Sequence, residues 1–170
     1  MHIRTTFTFA AATLGLGALS SAIAGPTGGT VVNGQGTIST PSSTTTVIDQ
    51  ASQNLQVNWN TFNVGANENV QFKQPDSSSV AFNRILDQNP SQIFGRIDAN
   101  GRVVLVNPNG LLIGRTAQIN TNSLVVSSLD AIDFDATSGR YRFSTGSTMI
   151  VDCCWQVPLS RRSEGISTMR

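Results

Sequence analysis

A motif that occurs twice within a short distance is the sequence feature that most constrains the fold. The stronger copy is Asn107–Arg115 (NPNGLLIGR), and the weaker copy is Asn89–Arg96 (NPSQIFGR). The two Asn-Pro pairs are 18 residues apart (107 minus 89). In each copy an Asn-Pro turn precedes apolar residues and a Gly-Arg corner. Recurrence of this kind is typical of solenoid proteins, although chance is a competing interpretation because both dipeptides are common.

The composition favours exposed strands and turns over helices. At 170 residues the chain has room for one domain and a tail. Charged residues are 12% of the total and the formal net charge is +1. Because binding to a phosphate backbone needs clustered Lys and Arg, we expect no nucleic-acid partner. Asn, Ser, Thr, Gly and Gln take the surface positions, and these residues suit pleated strands and tight turns.

Residues 1–24 have the pattern of an export signal peptide. His2 and Arg4 precede an apolar stretch from Phe7 to Leu19, and Ala22-Ile23-Ala24 is a small-x-small cleavage pattern. We therefore predict cleavage between Ala24 and Gly25 and export by the general secretion machinery. A membrane-spanning helix is the alternative, but this stretch is interrupted and is shorter than the roughly 20 residues that a span needs.

The two cysteines predict neither a disulfide framework nor a metal site. Cys153 and Cys154 are adjacent, and a disulfide between neighbours strains the intervening peptide. A metal site would need further ligands, and the single histidine, His2, leaves with the signal peptide. We expect no cofactor and no metal.

Alternating apolar residues predict a nearly all-β fold between residues 25 and 150. No window there has a helical period with a cap at each end. Val103–Val106 is apolar on both faces, as in a fully buried strand. A sandwich and a parallel β-helix both remain open, and the 18-residue offset favours the β-helix, whose coils repeat about every 20 residues. Asparagines at the corners fit as well, because stacked coils would bring their side-chain amides into register, where they can form hydrogen-bonded ladders.

Four motifs follow one another along the chain: Trp59–Gly65, Asn89–Gly95, Val106–Leu111 and Ile119–Thr121. In this order they resemble the amino-terminal secretion domain of filamentous haemagglutinin-type exoproteins, the exported partners of two-partner secretion systems. The resemblance extends from about Gly25 to about Thr148. It implies a right-handed parallel β-helix with an amino-terminal β cap and a non-enzymatic targeting role. It also implies recognition by the periplasmic domains of an outer-membrane β-barrel transporter, and export through the periplasm to the surface or medium of a Gram-negative bacterium.

The resemblance places its signature on Asn107, Pro108, Asn109 and Gly110, with Asn89 and Pro90 as a secondary pair. Two interpretations of these residues remain open, a tight turn and a direct contact with the transporter, and the two can coexist. For the turn, Pro presets φ, an Asn side chain closes the turn and Gly takes the positive φ. The cysteines that follow this motif in one branch of the family are absent, since Leu112–Arg115 stands there, and an upstream Asn-Pro-Asn-Leu motif is also missing.

Other residue clusters support alternatives less well. Asp130, Asp133 and Asp135 could hold calcium, but a solvated loop fits their spacing better. Trp59 and Phe62 could stack on a sugar, although large aromatics in a strand series usually belong to the core. Carboxylates that could serve a β-helix enzyme are scattered through turns, at Asp76, Asp87 and Asp98. A small exported carbohydrate-binding or polysaccharide-cleaving β-helix is therefore the alternative function.

The end of the chain differs in composition from the rest. We divide the sequence into a signal peptide (1–24), a secretion and haemagglutination-activity domain (25–148) and an atypical tail (149–170). Family members usually continue into long repeats that carry the adhesin or cytolysin activity, and host-cell or surface glycans are candidate partners of such a passenger. We expect the tail to arise from a frameshift or premature stop that removed such a passenger; a short native tail is the alternative.

Overall fold

The structure, a computed structural model, describes residues 25–129, 131–143 and 148–151. The predicted signal peptide, Cys153, Cys154 and most of the atypical tail lie outside these residues. The regular elements within the described ranges are all β-strands. They are β1 (Thr30–Asn33), β2 (Gly36–Ser42), β3 (Thr45–Gln50), β4 (Asn54–Trp59), β5 (Asn69–Lys73), β6 (Val80–Ile85), β7 (Ser91–Ile93), β8 (Arg96–Ala99), β9 (Arg102–Val106), β10 (Leu111–Ile113), β11 (Gln118–Asn120), β12 (Ser123–Ser127), β13 (Ala131–Asp135), β14 (Arg140–Phe143) and β15 (Thr148–Val151). No helix in this part of the chain is long and apolar enough to span a membrane.

The strands wind into a solenoid whose successive coils stack in parallel. One coil contains β3 and β4, the next β5, β6 and β7, the third β8, β9 and β10, and the last β11 and β12. Each strand pairs in parallel with its counterpart in the next coil. On one face Thr45 pairs with Asn69, Asn69 with Arg96 and Arg96 with Gln118, so the offsets are 24 (69 minus 45), 27 (96 minus 69) and 22 (118 minus 96) residues. The predicted parallel β-helix is confirmed, and the sandwich is excluded.

Antiparallel strands flank this parallel stack. β1 pairs with β4 and β2 pairs with β3, both antiparallel, so the amino-terminal strands close the first coil on two of its faces. This is the amino-terminal β cap that the family resemblance implies. At the other end β15 pairs antiparallel with β12. Antiparallel partners satisfy backbone groups that an open edge strand would expose.

Alternation along the strands fills one core inside the coils and a second cluster outside them. Val103 and Leu105 point into the main core, whereas Val104 and Val106 face outward. The outer residues are covered by the antiparallel hairpin β13–β14. The ring of Phe134, on β13, stacks on the ring of Phe82, on β6, with centroids 4.7 Å apart. The prediction that Val103–Val106 is buried on both faces is confirmed, and the hairpin is the reason.

A ladder of buried glutamine amides lines the corner that follows β3 and β5. Gln74 Nε2 donates to Gln50 Oε1 at 3.3 Å, and the backbone N–H of Gly101 donates to Gln74 Oε1 at 2.8 Å. Both glutamines are buried, and Gln50 also donates to the carbonyl of Val80. The amides here belong to glutamines, whereas the sequence predicts a ladder of corner asparagines. The hydrogen bonds of the glutamine ladder satisfy the side-chain amides that this corner buries.

Trp59 and Phe62 are core residues. They are 1% and 0% exposed, and their rings meet edge to face with centroids 5.5 Å apart. The indole Nε1–H of Trp59 donates at 2.9 Å to Oδ1 of Asn83, which lies on the next coil and is itself fully buried. Because neither ring reaches the surface, the sugar-stacking interpretation of this pair is wrong.

Candidate functional site

The signature residues lie together where two neighbouring loops stack. The loop 86–90 joins β6 to β7, and the loop 107–110 joins β9 to β10 one coil later. We call residues 87–91 and 107–110 the Asn-Pro corner. Their proximity follows from the parallel pairing of β7 with β10, in which Ser91 aligns with Leu111. All six predicted signature residues are therefore brought to one corner of the solenoid.

Residues 107–110 form a closed four-residue turn. The N–H of Gly110 donates to the carbonyl of Asn107 at 2.9 Å, and the N–H of Asn109 donates to Asn107 Oδ1 at 2.9 Å. Pro108 occupies the second position, where its fixed φ is favourable. Gly110 has a φ of 99°, a backbone conformation that residues with a Cβ atom rarely adopt. The turn thus has the proline, side-chain closure and positive-φ glycine that its sequence predicts.

Asn107 joins the two loops from inside the corner. Its side chain is fully buried, and its Nδ2 donates to the carbonyl of Asn89 at 3.1 Å and to Ser91 Oγ at 2.9 Å. Its own N–H donates to the carbonyl of Ser127 at 3.0 Å. One side chain therefore fixes its own turn and also attaches it to the preceding coil.

Pro108 and Asn109 lie on the outside of the corner. Both are exposed, and Asn109 makes one side-chain hydrogen bond, from Nδ2 to the carbonyl of Asp87 at 2.8 Å. Pro90 is also exposed and lies beneath the next turn, 4.0 Å from the position that a Cβ on Gly110 would take. The motif therefore divides into a buried asparagine that holds the fold and outer residues that a partner can reach.

Two further residues complete the corner, and the sequence analysis did not assign them to it. Asp87 Oδ1 accepts hydrogen bonds from the backbone N–H and the Nδ2 of Asn89, at 2.9 and 3.1 Å. Ser91 is fully buried and accepts from Asn107. The spacing of Asp87, two residues before Asn89, is that of an Asx turn and is a local signal. The role of Ser91 depends on coil stacking, which has no local signal.

Exposed apolar side chains lie at both ends of the corner. Leu86 directly precedes Asp87, and Leu112 is the second residue after Gly110; each is 53% exposed. Between them in the chain lie the exposed Pro90 and Pro108, next to the exposed polar residues Asn89 and Asn109. Large apolar residues exposed near one another often mark a surface for a protein partner.

The strands are offset by more than the motif spacing suggests. Asn107 does reach Asn89, 18 residues earlier, but Ser91 aligns with Leu111, an offset of 20 residues (111 minus 91). The later copy holds two more residues, Asn109 and Gly110, before its strand begins. The 18-residue spacing therefore corresponds to a contact between two turns, whereas the paired strands β7 and β10 are offset by 20 residues.

The described aspartates near the hairpin serve its own turn and pairing. Asp133 forms an ion pair with Arg142 at 3.3 Å. Asp135 accepts from Ser138 Oγ at 2.6 Å and from the Thr137 N–H at 2.9 Å, and the Ser138 bond is the main cause that lowers the pKa of Asp135. Asp130 lies outside the described residues, and within them no three His, Cys, Asp or Glu side chains group as metal ligands would.

The predicted cleavage site is divided between the described and undescribed parts of the chain. Ala24 lies outside the described residues, and Gly25 is the first residue within them and is half-buried. Its neighbours place it beside the first coil, as described below.

Comparison with known proteins links this architecture to one family. The family model of the TPS secretion domain matches residues 22–157. A heme/hemopexin-binding protein of Haemophilus influenzae is 45% identical over 105 residues, which are 62% of this chain and 12% of that protein. A second Haemophilus influenzae protein of the same name is 39% identical over 97 residues, 57% of this chain and 10% of its own length. The chain thus spans about a tenth of these relatives.

Similarity to a solved structure agrees with the sequence comparison. The crystal structure of the HMW1 secretion domain from Haemophilus influenzae superposes with a TM-score of 0.59 at 42% identity. The match covers 62% of this chain and 28% of that one.

Proposed function

The chain belongs to the TPS secretion domain family, and on this premise we propose that it directs an exported protein to its outer-membrane transporter. TPS domains are recognised by outer-membrane transporters of two-partner systems, and proteins that carry them are secreted by Gram-negative bacteria. Our proposal assigns that recognition to this chain and places the contact at the Asn-Pro corner.

The division of the Asn-Pro corner into buried and exposed residues carries the proposal. Asn107 is fully buried and is used within the fold, whereas Pro108 and Asn109 point outward. The flanking Leu86 and Leu112, each 53% exposed, add apolar area that a partner can cover. A transporter that binds the outer residues would recognise the turn of residues 107–110, whose closing hydrogen bonds both lie within the turn itself. We infer that Pro108, Asn109 and Leu112 contact the transporter and that Asn107 and Gly110 shape the turn.

The solenoid also suits vectorial export. Each coil pairs only with its neighbours, so coils can form one after another as the chain emerges. Every coil that forms buries apolar residues and adds inter-coil hydrogen bonds, which oppose backward movement of the chain. A charged fraction of 12% lowers the cost of passing through a narrow pore.

We propose a non-enzymatic, adhesin-type exoprotein whose receptor-binding activity, including any toward glycans, resides outside the coils described here. The general secretion machinery would deliver the chain to the periplasm, and the transporter would release it to the cell surface or the medium. The alternative function, binding or cleavage of a carbohydrate, is not supported by this aromatic pair, because Trp59 and Phe62 are buried and cannot stack on a sugar.

The test is export from a Gram-negative host with and without the cognate transporter gene. Asn109→Ala removes one exposed hydrogen bond, from Nδ2 to the Asp87 carbonyl at 2.8 Å. Asn122→Ala is its matched control, because Asn122 is also exposed and donates one side-chain hydrogen bond, to the Ser77 carbonyl at 2.8 Å, at a different corner. Both variants should fold alike, so their difference in export isolates the Asn-Pro corner.

We expect the native chain and Asn122→Ala to reach the medium only when the transporter is present, and Asn109→Ala to be exported at least fivefold less. Equal export of the two variants would remove the corner from the recognition surface. Export that does not depend on the transporter would contradict the targeting function itself.

A further inference from the structure

A small open cavity beside the amino-terminal cap is lined mainly by residues with polar side chains. Its volume is about 300 Å³, and hydroxyl-bearing residues surround it together with Glu68 and Asn69. Thr46 lines it from β3 and is 6% exposed. Gly25, the residue at which the mature chain is predicted to begin, lies in the same wall.

The chain just after Gly25 is firmly attached to the first coil. Pro26 is buried, and the N–H of Thr27 donates to the carbonyl of Thr61 at 3.0 Å. In return, the N–H of Asn60 donates to the carbonyl of Thr27 at 3.0 Å, and the hydroxyls of Thr27 and Thr61 are 2.7 Å apart. An anchor only two residues away holds Gly25 in the wall of the cavity.

Acceptors in the cavity surround the position of Gly25. A Cβ added to Gly25 would lie 3.7 Å from both carboxylate oxygens of Glu68 and 3.7 Å from Thr46 Oγ1. Standard bond lengths and angles place the nitrogen about 2.5 Å from that point, so it is within about 6 Å of each acceptor. Asn69 Oδ1, in the same wall, is buried and has no hydrogen-bond partner.

We propose that this cavity binds the chain's own α-ammonium group, which signal-peptide cleavage creates at Gly25. The inference goes beyond transporter recognition and rests on the predicted cleavage site. Hydrolysis of the Ala24–Gly25 peptide bond consumes one water, leaves a carboxylate on Ala24 and frees the amine of Gly25, which takes up a proton at neutral pH. A neutral amide with one N–H donor thereby becomes a cation with three.

The chemistry of the cavity matches this new group. Glu68 supplies the opposite charge, and its Oε2 is held in place because it accepts the Gly65 N–H at 2.6 Å. Thr46 Oγ1, 3.7 Å from the position of a Cβ added to Gly25, supplies a further acceptor for the remaining N–H groups. Ammonium–carboxylate hydrogen bonds are stronger than those of a neutral amide. Removal of the signal peptide would therefore strengthen the contact between the chain start and the first coil.

The test is a cycle of four purified chains that all end at Arg170. Two begin at Gly25 and two retain Ala24, which displaces the ammonium by one residue; each pair has either Glu68 or Glu68→Gln. Glu68→Gln keeps an oxygen that can accept the Gly65 N–H, so the fold should persist. Unfolding in urea gives the equilibrium constant for each chain, and the cycle isolates the interaction between the amine and Glu68.

With Glu68 present, we expect retention of Ala24 to raise the unfolding equilibrium constant about threefold, the size of a partly exposed ion pair. With Glu68→Gln, retention of Ala24 should change it little. Asp49→Asn is the matched control, since Asp49 is an exposed carboxylate three residues along β3 from Thr46, and it should leave the threefold effect intact.

A second readout is the rate at which acetic anhydride modifies the α-amine, followed by mass spectrometry. The amine of the chain that begins at Gly25 should react more slowly than that of its Glu68→Gln variant. Equal acetylation rates, or an Ala24 effect of the same size with Glu68 and with Glu68→Gln, would overturn the proposal. Neither readout involves the transporter, so failure here is distinct from failure of the targeting function.

Discussion

Replacing Asn107 with alanine should destabilise the fold far more than replacing its neighbour Asn109. The Asn107 side chain is fully buried and makes three hydrogen bonds: to the Asn89 carbonyl at 3.1 Å, to Ser91 Oγ at 2.9 Å and from the Asn109 N–H at 2.9 Å. Asn107→Ala removes all three and leaves the buried Ser91 hydroxyl without this donor.

The expected cost follows from the number of bonds lost. Each net hydrogen bond contributes about 1 kcal/mol, so Asn107→Ala should lower the free energy of unfolding by about 3 kcal/mol. At roughly 4 °C per kcal/mol for a domain of this size, Tm should fall by about 10 °C. Asn109→Ala loses one hydrogen bond at an exposed position, where water replaces it, and should cost about 0.5 kcal/mol.

Urea denaturation of the chain that begins at Gly25 measures both variants. The urea dependence of the unfolding free energy should stay constant while the midpoint shifts, because the buried surface is unchanged. If the two variants lose the same stability, or if Asn107→Ala costs less than about 1 kcal/mol, the claim that Asn107 fastens adjacent coils is wrong.

Two further predictions concern single positions. Gly110→Ala should lower the free energy of unfolding, measured in urea, by about 1–2 kcal/mol, because φ at this position is 99°. The nearest atom to the new Cβ is 4.0 Å away, so backbone strain and not a steric clash is the cause. An unchanged free energy of unfolding would refute the strained turn. Hydrogen bonds from the Ser78 hydroxyl, from Gln53 and from the Ser78 N–H hold the pKa of Asp76 at about 2, below its ordinary 3.8. Since the folded pKa lies below the unfolded one, this stabilisation is complete above about pH 4 and is lost as pH falls toward 2. The native chain should lose stability more steeply than Asp76→Asn over that range, and equal slopes would contradict the assignment.

The sequence predicted the strands and the coil architecture because both depend on local patterns. Leu55, Val57 and Trp59 alternate with polar residues, and all three prove to be buried on β4. The Asn-Pro turn could also be predicted from the sequence, since its proline, asparagine and glycine all lie within four residues. Asp98, which the sequence analysis places in a turn, instead lies within β8, because this strand continues through Ala99.

Features that depend on contacts between coils left no local signal. Gln50 and Gln74 form their ladder because stacking places them one above the other, 24 residues apart. The varying coil offset and the hairpin cover over Phe82 likewise depend on which strands pair. The burial of Asn107 and the exposure of Pro108 and Asn109 follow from the same stacking. The sequence could therefore identify the motif, but it could not show which of its residues are buried and which are exposed.

The hydrogen bond between Trp59 and Asn83 gives the protein a built-in optical probe. The chain has two tryptophans, and the other, Trp155, lies outside the described residues. In a Trp155→Phe background, emission would come from an indole that is 1% exposed and bound to a side chain of the following coil. Its spectral shift in a rapid-mixing experiment would therefore time the docking of the second coil on the first, the step at which a solenoid nucleates.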